Sequence, residues 1–97
     1  MGKKAEVHSV PKGLELICHT DSAALDRIAR IQLGKTIVLP DNAEAWYSLG
    51  HFDLVDRHCP RAALPALSRF TVLNGQDRRN VEYAQALKLV NSGKPIC

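Results

Sequence analysis

Cysteines, aromatic residues and long apolar runs are all scarce in this chain of 97 residues. The three cysteines, Cys18, Cys59 and Cys97, are far apart and odd in number, so they fit neither a disulfide framework nor a pair of zinc ligands. We therefore expect reduced cysteines in a cytoplasmic protein. No stretch reaches the roughly 18 apolar residues of a membrane span, and the first residues lack the apolar core of a signal peptide.

The chain also has no large excess of positive or negative charge. Thirteen basic and ten acidic residues leave a net charge of +3, and the only adjacent basic pairs are Lys3-Lys4 and Arg78-Arg79. Proteins that bind nucleic acid without specificity concentrate cations on one face, so this pattern favours an ordinary solvated surface. The chain is 45% hydrophobic, enough for one modest core, and we expect a single domain over residues 1–97.

Helical periodicity dominates residues 21–92, between a poorly defined segment at 1–20 and a tail at 93–97. Within the first segment, Leu14 to Ile17 suggests a short helical turn. The first main helix is predicted to be capped at Asp21 or Ser22 and to end at Gly34 as a left-handed C-cap. Its inward face is predicted to carry the residues that recur at three and four positions, which are Leu25, Ile28, Ala29, Gln32 and Leu33.

Two further helices are expected after Pro40. The first runs from about Ala43 to Asp56 and carries Trp46, Leu49, Gly50 and Leu54 toward its neighbours, until Arg57-His58-Cys59 breaks it. The next begins near Pro60, which suits the first turn of a helix, and ends at Asn74-Gly75. Pro65 removes one internal hydrogen bond, so that helix either kinks or begins near Arg61.

A fourth helix is predicted to follow a cap at Asp77. Its apolar stripe is expected to consist of Val81, Ala84, Leu87 and Val90, and Gly93 and Pro95 are expected to end it.

The segment Trp46-Tyr47-Ser48-Leu49-Gly50, with Ala62 sixteen positions after the tryptophan, resembles the first half of a tetratricopeptide repeat. A step of 34 residues runs from Ala43 to Asp77, and a backward step from Asn74 reaches Pro40, where the pattern's closing proline belongs. This resemblance implies an all-α fold of antiparallel helical hairpins, with about four main helices and a short N-terminal segment. An unrelated small helical bundle is the alternative. Four positions depart from the consensus: Asp53, Ala66, Arg69 and Asn74.

In that family the first helix of each repeat lines a groove that holds a peptide or a partner helix. The resemblance therefore implies a protein–protein interaction module, such as a small chaperone or adaptor, and its size is similar to that of chaperones for type III secretion substrates. The uncovered last helix is expected to pack on the N-terminal segment, on a second copy in a homodimer, or on a client protein. The groove positions carried over to this chain are Glu44, Tyr47, His51, Leu54, Arg78, Val81, Gln85 and Lys88.

Candidate chemistry is sparse, and we predict no enzyme activity, no cofactor and no metal site. Gly34-Lys35-Thr36 matches the end of a phosphate-binding loop, but such a loop must follow a buried strand, whereas a helix precedes it here. Cys18-His19 and His58-Cys59 lack the spacing of paired zinc ligands. A small helical nucleic-acid-binding or regulatory protein, with Arg78-Arg79 on phosphates, remains the alternative function.

Overall fold

The computed structural model describes residues 22–92, and 82% of them are helical. Helix α1 spans Ala23–Val38, α2 spans Ala43–His51, α3 spans Pro60–Asn74 and α4 spans Val81–Val90. A π-helical turn, Phe52–Asp56, extends α2, and a 3₁₀ turn, Arg78–Asn80, leads into α4. No strand occurs between residues 22 and 92, so the predicted all-α class is confirmed for this part of the chain. The predictions for Leu14 to Ile17, Cys18-His19, Gly93 and Pro95 lie outside it.

Most helix boundaries follow local sequence signals. The side chains of Ser22 and Asn42 accept hydrogen bonds from Leu25 N and Ala45 N, as N-caps do. Helix α3 begins at Pro60 and continues through Pro65. It ends at Gly75, whose φ of 67° lies in the left-handed region that glycine adopts without steric cost.

The predicted end of α1 at Gly34 is wrong. The helix continues to Val38, and Leu39 then caps it by donating its backbone N–H to the carbonyl of Lys35. Thr36 is almost wholly buried and donates its hydroxyl to Leu33 O over 2.7 Å. Burial beyond Gly34 thus outweighs the cost of about 1 kcal/mol for an internal glycine, and Pro40 ends the helix because it disfavours helical backbone in Leu39.

The core lies between α1, α2 and α3. Trp46 and Leu49 of α2 pack with Leu33 of α1 and with Ala66 and Phe70 of α3. The indole Nε1 donates to Pro40 O over 2.7 Å, so the tryptophan also fixes the turn before α2. Ile28 is 39% exposed, so its predicted place on the inward face of α1 is wrong.

Helices α2 and α3 approach closely at Gly50. A Cβ at this position would lie 2.6 Å from both Cγ and Cδ2 of Leu67, and 3.2 Å from its backbone nitrogen. Glycine is therefore required by the contact itself, as the sequence suggested for a glycine inside a helix.

A buried cluster of charges fixes the π-helical turn. Arg57 donates to Asp53 over 2.9 Å and lies 3.3 Å from Asp26 of α1. Burial raises the pKa of Asp53, and the Arg57 guanidinium opposes that shift. The backbone N–H of Arg57 reaches back five residues to Phe52 O, which gives the wide π geometry. His58, with φ of 57°, then turns the chain toward α3.

Three of the four residues in the predicted apolar stripe of α4 lie on its exposed side. Val81 is 56% exposed and Ala84 and Leu87 are also exposed, whereas Ala86 is fully buried against Leu67 and its neighbours. Helix α4 therefore turns a different face inward, one that carries Glu82, Tyr83 and Ala86. Polar partners on α2 explain this rotation, as described next.

Candidate functional site

Side chains of α2 contact side chains of α4 and of the turn before it, and the contacting residues are separated by a nearly constant number of positions in the sequence. Glu44 contacts Arg79 and Tyr47 contacts Glu82, both 35 positions apart. Further along, Leu54 lines a cavity together with Leu89, again 35 positions later. Because the contacts advance together along both helices, α2 and α4 run in the same direction.

Arg79 forms the first part of this contact. Its guanidinium donates to both carboxylate oxygens of Glu44 at 2.9 and 2.8 Å, and to Asp77 at 2.9 and 3.1 Å. It also lies over the rings of Tyr47 and Phe70, 4.7 and 4.9 Å from their centroids. Hydrogen bonds from Arg79 lower the pKa values of Glu44 and Asp77, and the two carboxylates raise the pKa of Arg79.

Glu82 forms the second part, because its carboxylate holds two side chains of α2. The Tyr47 hydroxyl donates to Oε2 over 2.6 Å, and Nδ1 of His51 lies 2.7 Å from Oε1. Burial and the hydrogen bond to Glu82 raise the pKa of Tyr47 to about 12. We call these contacts of Glu44, Tyr47, His51, Arg79 and Glu82 the polar latch.

Beyond the polar latch lies a cavity of about 430 Å³ between α4 and the π-helical turn that extends α2. Three of its lining residues are apolar, and Val55 and Leu89 among them are each 47% exposed. Lys88 is the one charged residue of the lining. We call this cavity the α2–α4 groove, and it is lined by Leu54, Val55, Gln85, Lys88 and Leu89.

The eight groove positions taken from the sequence divide into three sets. Leu54, Gln85 and Lys88 line the α2–α4 groove, whereas Glu44, Tyr47 and His51 belong to the polar latch. Arg78 and Val81 are exposed and are not part of either. No observation tests whether any of the eight binds a partner, so that part of the prediction stays a prediction.

Arg79 and Glu82 belong to the polar latch, and sequence reasoning did not select them. A signal for both residues existed in the sequence. Arg79 is opposite in charge to Glu44, and the carboxylate of Glu82 can accept a hydrogen bond from Tyr47, in each case 35 positions earlier. The 34-residue step selected Arg78 and Val81 instead, one position too early on the helix. One residue corresponds to about 100° of rotation around a helix, so the error moved the prediction to a different face.

The structure bears on several of the remaining predictions. Gly34-Lys35-Thr36 lies inside α1, so it forms no phosphate-binding loop. Among residues 22–92 no three His, Cys, Asp or Glu side chains are grouped to hold a metal ion. None of the helices in this range combines the length and apolar character of a membrane span.

The prediction of reduced cysteines is wrong for Cys59, which is buried and disulfide-bonded. Disulfides are typical of oxidising compartments, so the prediction of a cytoplasmic protein loses the support of unpaired cysteines.

Comparisons of the chain with protein-family models, with curated proteins and with solved structures find no match.

Proposed function

We propose that this protein is a protein–protein interaction module that receives a peptide or a partner helix in the α2–α4 groove. The observation that carries the proposal is the groove itself, where Leu54, Val55 and Leu89 form an apolar floor and walls beside Lys88. An amphipathic segment that inserts apolar side chains between two helices is a common mode of recognition. A small chaperone or adaptor would use such a surface.

The arrangement of α2 and α4 supports a tetratricopeptide-like organisation as part of this proposal. Two helices with one direction, with α3 between them in the chain, are a feature of such repeats, although their contacts are separated by 35 positions, one more than the repeat step of 34. The close approach at Gly50 is the kind of contact that a glycine in that repeat position permits. In this interpretation the groove is the concave side of a short array.

The alternative of nucleic-acid binding receives less support. Arg79 is engaged by two carboxylates, so the Arg78-Arg79 pair offers phosphate one exposed guanidinium rather than two. A DNA affinity that falls steeply with salt would restore the alternative.

The test is binding of a panel of synthetic amphipathic helices, each with a leucine face, measured by fluorescence anisotropy. We expect the parent protein to bind members of the panel and Leu89→Glu to weaken binding at least about tenfold, because it places a charge in the apolar groove. Val72→Glu is the matched control, since Val72 is 69% exposed and does not line the groove. Absence of binding, or equal effects of the two variants, would contradict the proposal.

A further inference from the structure

Helix α1 carries apolar side chains on two opposite faces. The face that packs against the rest of the fold consists of Ala29, Leu33 and Thr36. On the other face Ile31 is 55% exposed and Val38 is 76% exposed. Successive residues are about 100° apart around a helix, so these two side chains lie almost directly opposite the buried face. The outer face of α1 therefore has the composition of a contact surface although it is exposed.

The outer face of α1 also has the residue spacing of a coiled-coil helix. Its central positions alternate at intervals of four and three residues, and they are Ala24, Ile28, Ile31, Lys35 and Val38. All five residues are exposed. In a coiled coil these positions meet a second helix, and a single lysine among them fixes the register of the pair. We call these five residues the α1 outer seam.

The exposed charges of α1 are all positive. They are carried by Arg27, Arg30 and Lys35, and none of the three forms an ion pair within residues 22–92. Arg27 and Lys35 lie about 40° to either side of Ile31 around the helix axis. The one carboxylate of the helix, Asp26, is only 16% exposed and lies 3.3 Å from Arg57. A partner of α1 therefore meets a narrow apolar strip with cations on both sides.

This combination of charge and shape selects one class of partner. A second copy of the chain would bring like charges together beside the strip, which is unfavourable. Helices that lie on an anionic membrane have a wide apolar face that includes Trp or Phe, whereas the α1 outer seam is narrow and aliphatic. Nucleic acid would engage the cations and leave the apolar residues uncovered. An acidic helix with its own apolar stripe satisfies both features.

We propose that the α1 outer seam binds an acidic amphipathic helix of another protein. The apolar stripe of that helix covers Ile28, Ile31 and Val38. Its flanking carboxylates pair with Arg27 and Lys35. This surface lies on a different helix from the α2–α4 groove, so it is a second interaction site beyond the proposed function.

Two synthetic peptides test the proposal against the full chain. Each is a labelled helix of about three heptads with leucine at the a and d positions, and its e and g positions carry glutamate in one peptide and lysine in the other. We expect the parent protein to bind the glutamate peptide at least about tenfold more tightly than the lysine peptide in fluorescence anisotropy. High salt should reduce this difference.

Charge reversal on α1 tests the electrostatic part. Arg27→Glu should weaken binding of the glutamate peptide about fivefold, because it replaces an attractive contact with a repulsive one. Arg78→Glu is the matched control, since Arg78 is an exposed arginine outside α1 and outside the groove. Equal effects of the two reversals would overturn the proposal.

Serine substitution tests the apolar part. Ile31→Ser should weaken binding of the glutamate peptide about tenfold, because it removes an apolar contact at the centre of the strip. Val72→Ser is the matched control, since Val72 is a β-branched residue on α3 that is 69% exposed. Both controls should bind as the parent does. Circular dichroism checks that every variant is folded.

Three further outcomes would overturn the proposal. The first is a parent protein that does not bind the glutamate peptide. The second is a loss of binding in Leu89→Ser but not in Ile31→Ser, which would place the peptide in the α2–α4 groove and support only the proposed function. The third is binding of the parent to phosphatidylserine vesicles in place of the peptide, which would assign the α1 face to a membrane surface.

Discussion

Helix α2 makes two contacts of opposite character, one with α3 and one with α4. Against α3 it presents Leu49 and Gly50, and the backbones approach closely in an apolar contact. Against α4 it presents Glu44, Tyr47 and His51, and the contact is made by charged and hydroxyl groups. The first contact depends on shape and the second on hydrogen-bond partners, so a small change in volume should damage only the first.

Gly50 offers the strongest test of that difference. Alanine at this position would place Cβ within 2.6 Å of Leu67, so we expect Gly50→Ala to lower the free energy of unfolding by about 1–3 kcal/mol. Gly34→Ala is the matched control, because nothing lies within 4 Å of its Cβ position. It should raise the free energy of unfolding by up to about 1 kcal/mol through helix propensity alone. Urea denaturation measures both variants.

The same substitution in a Leu67→Ala variant shows which atoms of α3 cause the loss of stability. In Leu67→Ala the two close side-chain atoms are absent, so adding Gly50→Ala should cost less than it does in the parent protein. An unchanged cost would mean that the backbone approach, and not the leucine side chain, sets the limit. Equal stabilisation by the two glycine substitutions would contradict the close approach of α2 and α3.

The polar latch should respond to the loss of single hydrogen bonds by smaller amounts. Tyr47→Phe removes the hydroxyl that donates to Glu82, and we expect a loss of about 0.5–1.5 kcal/mol in the free energy of unfolding. Because the folded-state pKa of Tyr47 is raised to about 12, this residue's contribution to stability is complete below pH 10 and is lost as the pH rises from 10 toward 12. Ultraviolet absorbance of tyrosinate measures this titration.

Tyr83→Phe is the control for the absorbance measurement, because Tyr83 does not belong to the polar latch. The rise in tyrosinate absorbance near pH 12 should persist in Tyr83→Phe and disappear in Tyr47→Phe. Glu82→Gln should move this rise in absorbance to lower pH, since the substitution removes the charge that opposes ionisation of Tyr47. A Tyr47 that titrates at the same pH with and without Glu82 would show that burial alone causes the shift.

The smallest effect is expected at Asp77, on the exposed border of the α2–α4 contact. Hydrogen bonds from Arg79 hold the pKa of this carboxyl below its ordinary value, so its contribution is present above about pH 4 and is lost as the pH falls through the folded-state pKa. Asp77→Asn keeps a capping side chain but loses the charge. The parent protein should unfold at a higher temperature than the variant at pH 7, and the difference should vanish at low pH. A difference that is constant with pH would contradict the role of the charge.

Helix caps and core positions could be predicted well because they depend on local or periodic signals. Ser22, Asn42 and Gly75 act at the predicted ends, and Trp46 and Leu49 are buried as the spacing of α2 indicated. The end of α1 was missed because burial of Thr36 is a tertiary effect, which a glycine signal cannot include.

The inward face of α4 was not predicted from the sequence, for a related reason. An apolar stripe predicts the inward face only where apolar burial decides the rotation, and here Glu82 is drawn inward by Tyr47 and His51. The groove was predicted in part, since Leu54, Gln85 and Lys88 were selected and Val55 and Leu89 were not. The π geometry that carries Val55 arises from buried Arg57, whose partners are set by the fold.

The amino-acid sequence by itself determined the all-α class and the helices that surround Trp46, because periodicity and capping act locally. Only the tertiary structure decided which face α4 turns toward α2, where α1 ends and which residues line the α2–α4 groove. Those outcomes depend on the burial of Thr36 and on contacts between residues far apart in the chain, such as Tyr47 and Glu82. Such contacts exist only after the helices have packed.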